Sequence, residues 1–105
     1  MRELKFEVTD QMIQKDSACN FDGIVKCSKG YLIAAFSFNE EWTGTRRVAC
    51  FEKLGEKYYA PIINEKCEIP YEALNYNKFK ISVIGETADG NKRITTNKVG
   101  VEQCQ

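Results

Sequence analysis

The sequence predicts an all-β fold, an antiparallel Ig-like β-sandwich of about eight short strands with at most one helical turn. Three observations lead there. Apolar and polar residues alternate along Leu4–Val8, Tyr31–Phe38 and Phe79–Ile84, the pattern of strands buried on one face. Turn residues part such runs at hairpin spacing, at Ser28-Lys29-Gly30, at Glu52–Glu56 with Gly55, and at Ala88-Asp89-Gly90-Asn91. Only Pro70–Leu74 reads as helical, and Asn75, Tyr76 and Asn77 end it after one turn. At 105 residues and 43% hydrophobic content, the chain fills one core and not two, so residues 1–105 are read as a single β-sandwich domain.

The stretch Tyr31–Gly44, YLIAAFSFNEEWTG, is the centre of that expectation. Leu32, Ala34, Phe36 and Phe38 share one face of a central strand, and after the polar turn Asn39-Glu40-Glu41 the only tryptophan, Trp42, plugs the core. Phe36, Phe38, Trp42, Phe79, Ile81 and Val83 are the predicted core, with the Phe79–Val83 strand facing the central one. Before the centre, Leu4–Val8 reads as an edge strand, Met12–Lys15 as a short partner, Asp16–Gly23 as the longest loop, and Ile24–Cys27 as a strand in a hairpin with Tyr31–Phe38. Gly30 would supply a positive φ there. After it come strands at Arg46–Phe51, Tyr58–Ile63 and Lys66–Ile69. Pro61 cannot donate to a ladder, which places it at an edge or a bulge. Ile94–Val101 reads as a closing strand whose register slips once near Asn97 and Lys98, as at a β-bulge, and Gln103–Gln105 as a tail.

Charge and cysteine usage bound the function. Fifteen basic residues balance fifteen acidic ones, so no net field draws the chain to nucleic acid or an anionic membrane. The N-terminus has no apolar run, and nothing later approaches the ~20 apolar residues of a membrane span, so a soluble, unexported chain is expected. The five cysteines, at 19, 27, 50, 67 and 104, contain no C-x-x-C pair and there is no histidine; free thiols in a reducing compartment are expected, with Cys50 and Cys67 as core packing.

No nucleotide-binding or nucleophile motif occurs, and the adjacent Glu40 and Glu41 are a poor acid–base pair because neighbours at a strand end point apart. The reading is therefore not an enzyme, with no cofactor and no metal. Arg46-Arg47 and Lys92-Arg93 build no basic patch for the same geometric reason. Exposed tyrosines remain as recognition residues: Tyr58, Tyr59, Tyr71 and Tyr76 suit either a protein interface or the face of a sugar.

Five blocks then stand in a recognisable order: Tyr31–Gly44, Val48–Phe51, Cys67–Leu74 (CEIPYEAL), Phe79–Gly85 (FKISVIG) and Ile94–Val101 (ITTNKVGV). From about Ile24 onward the chain resembles the N-terminal β-sandwich module of upper-baseplate-type tail proteins in phages and prophages of Firmicutes. The resemblance implies a structural module that docks onto other phage tail or baseplate proteins, with self-association as a further possibility. It places the chain in the bacterial cytoplasm during assembly and in the virion tail afterwards. It carries over no catalytic residue. Receptor contact, which the resemblance assigns to the coiled-coil linker and distal domain of longer members, is not expected of this module. A carbohydrate-binding module reading bacterial surface sugars through the tyrosines is the alternative.

Overall fold

The computed structural model describes residues 1–105 and arranges nine strands in two sheets. The first has the order β2-β1-β3-β6, from Met12–Lys15 (β2), Arg2–Thr9 (β1), Leu32–Phe38 (β3) and Lys66–Glu68 (β6). The second has the order β5-β4-β7-β8, from Glu56–Pro61 (β5), Thr45–Lys53 (β4), Lys78–Thr87 (β7) and Arg93–Thr95 (β8), with Val99–Glu102 (β9) also on β7. Leu4, Phe6, Leu32 and Phe36 from one sheet and Phe51, Phe79, Ile81 and Val83 from the other belong to one buried cluster, so the chain is an all-β sandwich. Trp42 is fully buried in it, whereas Phe38 is half-buried and packs on it from the rim.

The hairpins follow from local chemistry. Leu54 and Gly55 both take positive φ, the backbone that a two-residue turn needs to match strand twist, and join β4 to β5. Asn64 and Glu65 do the same between Ile63 and Lys66. Pro61 sits at the end of β5, an edge strand, as a residue without an N–H must. The register slip is a bulge: Ile84 stands opposite Thr95 and Ile81 opposite Val99, so two residues of β7 face three, Thr96–Lys98.

Several expectations are corrected. Ile24–Cys27 is not a hairpin strand; it makes one isolated bridge, Val25 to Cys104. The place beside β3 is taken by β1, paired in parallel from Arg2–Leu32 to Val8–Phe38, so β1 is internal and β2 is the edge. Apolar alternation specifies a buried face but not a neighbour, and a sixteen-residue loop is long enough to return the chain in the same direction. That loop is pinned by Arg2, whose guanidinium donates to the carbonyls of Asn20, Asp22 and Gly23 at 3.1, 2.6 and 3.2 Å. Gly30 does take a positive φ, but at the entry to β3 rather than in a hairpin.

Two 3-10 turns form where the sequence predicts one helical turn, at Glu40–Trp42 and Tyr71–Ala73. Gln103–Gln105 is not a free tail either. The Gln103 amide donates to Asn77, the Cys104 amide donates to Ile24, and the Gln103 side chain is buried.

Candidate docking surface

The four tyrosines do not form one platform. Tyr58 and Tyr59 are neighbours on β5 and so face opposite ways. Tyr58 is half-buried against the core, the Lys53 ammonium lies 6.0 Å from its ring, and its hydroxyl donates to Glu56 at 2.9 Å. That hydrogen bond, with some burial, raises the phenol above its ordinary pKa. Tyr76 is exposed and lines a hollow of about 230 Å³ with Leu54 and Gly55 at the same β4–β5 turn. Tyr71 is exposed in the second 3-10 turn with the Lys29 ammonium 5.7 Å from its ring. Tyr59, 58% exposed, stands apart on the outer face of the second sheet.

That outer face is the part sequence reasoning missed. Ala49 and Phe51 point into the core, so Val48 and Cys50 point out, together with Tyr59 and Pro61 across β5 and Ser82 and Ile84 across β7. The signal was present: Val48, Cys50 and Ile84 are apolar residues at positions where a one-sided strand carries polar ones. Cys50, expected in the core, is buried here instead, flanked by Tyr59 and Ser82. Cys67 does join the core, where burial pushes its thiol up to about 12.

The face rises into a hollow of about 520 Å³ where β4 begins and β5 ends, walled by Arg46, Val48, Pro61, Ile63 and Glu65. A second hollow of about 340 Å³ lies on the other side of Arg46, against Ile84 and Arg93. The two arginines of the predicted pair separate as alternation requires. Arg47 turns inward, donates to the Trp42 carbonyl at 2.7 Å and lies 4.2 Å from the Phe38 ring centroid. Arg46 turns outward and is exposed, with no side-chain hydrogen bond and no carboxylate in ion-pair range. Of the carboxylates here, Glu86 is engaged by Arg93 at 2.7 Å and Glu52 by Lys98 at 2.6 Å, while Glu65 at the rim of the hollow is in no ion pair.

Glu40 and Glu41 are both exposed in the first 3-10 turn, and Lys92 donates to the Glu41 carbonyl rather than to either carboxylate. No group of three or more histidine, cysteine, aspartate or glutamate side chains gathers in the geometry of a metal site. No helix is long and apolar enough to cross a membrane. No protein-family model matches the chain, and no curated protein matches it.

Proposed function

We propose that this chain is a docking module of a phage or prophage tail, a non-enzymatic sandwich that joins other tail or baseplate proteins during virion assembly. The observation that carries the reading is the ordered set of five blocks from Tyr31 to Val101, whose spacing resembles the upper-baseplate module. Physical support comes from the surface. Its exposed apolar side chains, Ile63 and Leu54 among them, border open, shallow hollows, which suits a protein partner better than a small substrate.

The test is to induce the prophage in a lysogen carrying the gene, collect tail particles by sedimentation, and quantify peptides of this chain against known tail proteins. A fixed ratio supports tail membership; particles that assemble without the chain would exclude it. A glycan array run in parallel separates the sugar-binding alternative, because a docking module gives no signal there.

A further inference from the structure

Every strand edge exposes backbone N–H and C=O groups that must find partners, and here the edges differ in how they find them. On β2, the backbone groups of Ile13 point away from β1, and the Asn97 side chain serves them as a neighbouring strand would: Oδ1 accepts from the Ile13 N–H at 2.7 Å and Nδ2 donates to its carbonyl at 3.4 Å. On β6, Lys66 exchanges both bonds with Ile63, at 3.1 and 2.9 Å. The β5 edge has no such cover. The Ile62 amide donates to Arg47, and in an antiparallel ladder bonded pairs alternate, so Ala60 and Tyr58 spend their groups on β4. Lys57 and Tyr59 therefore present both backbone groups to solvent, and Pro61 presents its carbonyl. The β9 edge also leaves Gly100 and Glu102 open, but there the side chain at the edge is a carboxylate.

The open β5 edge adjoins the 520 Å³ hollow and the unpaired Arg46, and Lys57 and Lys80 on the same face likewise lack ion pairs. We infer that β5 is a strand-addition site for an extended segment of a partner protein, one that sets an apolar and an acidic side chain two residues apart and so on the same face. Its backbone pairs with Lys57 and Tyr59, an apolar side chain fills the hollow between Val48 and Ile63, and a carboxylate meets Arg46. The unpaired charge here is basic on balance, Arg46, Lys57 and Lys80 against Glu65, which selects an acidic strand and disfavours a second copy docked β5 to β5, since that would set two such faces side by side. This inference rests on the docking reading and specifies where docking occurs.

The experiment uses the full chain, ¹⁵N-labelled, with two synthetic heptapeptides as probes, both with threonine at the odd positions, one carrying valine, glutamate and valine at the even positions and the other valine, lysine and valine. The glutamate peptide is expected to slow hydrogen exchange at the Lys57 and Tyr59 amides at least tenfold at saturation and to shift the Arg46 and Val48 resonances. Tyr59→Pro removes an N–H that nothing in the chain accepts, so it should abolish that protection with little change in melting temperature; Arg46→Glu should weaken binding of the glutamate peptide and favour the lysine one. Unchanged Lys57 and Tyr59 amides, equal binding of both peptides, or binding that survives Tyr59→Pro would each overturn the site. A sedimentation mass of two chains that falls to one in Tyr59→Pro would replace the acidic strand by a second copy. None of these measurements needs tail particles, so a negative result leaves tail membership standing.

Discussion

Gly85 lies directly beneath the indole of Trp42: a Cβ on Gly85 would stand 2.6 Å from Cζ3 and 2.8 Å from Cε3 of that ring. The glycine is needed for space, since its φ is one that any residue adopts. Trp42 comes from the loop after β3 and Gly85 from the last part of β7, so the contact joins the two sheets. The indole N–H donates to the Asp10 carbonyl at 2.9 Å in the β1–β2 turn, and Arg47 and Thr45 both donate to the Trp42 carbonyl. Overpacking there predicts that Gly85→Ala destabilises the fold by about 1–3 kcal/mol. That would lower the melting temperature by roughly 4–8 °C per kcal/mol in a domain of this size. Gly85→Ala melting like wild type would show that the ring is free to move.

Trp42→Ala should be worse. Removing a buried indole costs about 3–5 kcal/mol, out of a total of about 5–15 kcal/mol, and it also leaves the Asp10 carbonyl unpaired. Chemical denaturation of the single variants and of the Gly85→Ala/Trp42→Ala double variant measures the coupling. The glycine substitution should cost far less once the ring is gone.

Asn97→Ala removes the side chain that closes the β2 edge. The Ile13 amide then loses its acceptor, at a cost of about 1–3 kcal/mol for a part-buried donor. Hydrogen exchange at Ile13 should accelerate while exchange at Phe79 and Ile81, deep in β7, changes only by the global loss. Unaltered exchange at Ile13 would mean that water replaces Asn97 without penalty.

Much of the fold could be read from the sequence because it is written locally. Period-two alternation gave β1, β3 and β7, the turn residues Glu52–Glu56 gave the β4–β5 turn, and the slip in alternation near Asn97 gave the bulge. Pairing across distance is written nowhere in a single strand. The parallel β1–β3 pair replaced the expected hairpin because Arg2 and the burial of Ile24 and Phe21 fix the intervening loop over the sheet end, a set of contacts without periodicity. The docking surface was harder still. Tyrosine identity marks a residue suited to recognition, but only the alternation on β5 separates Tyr58, turned in, from Tyr59, turned out beside an unpaired edge.

Thiol reactivity should follow burial. Cys27 and Cys104 are exposed, Cys19 is half-buried with its Sγ 3.7 Å from the Glu3 carbonyl, and Cys50 and Cys67 are buried. Iodoacetamide at pH 8 should label Cys27 and Cys104 first and Cys67 only on unfolding, as resolved by peptide mass spectrometry. The Cys67 thiol titrates near 9.0 when unfolded and about 12 when folded. The folded chain therefore keeps a proton that the unfolded chain loses, and stability should fall as pH rises through that interval. Cys67→Ala should flatten that alkaline loss.

At the acid end the sign reverses. Hydrogen bonds from Lys66 and Lys98 hold the carboxyls of Glu3 and Glu52 below the ordinary glutamate value of 4.5. Each contributes stability above that value that disappears as pH falls through the lowered folded value, and because both pairs are exposed the effect is small and weakens with salt. Denaturation midpoints between pH 6 and pH 2 should drop less steeply in Glu52→Gln than in wild type. Identical acid profiles would show that the Lys98 pair does not persist in solution.

Tail membership is tested most directly by quantitative mass spectrometry of sedimented particles after prophage induction. Peptides of this chain in fixed proportion to tail proteins, at a ratio compatible with tail symmetry, are the predicted result. Complete tail particles that contain no peptide of this chain would contradict it.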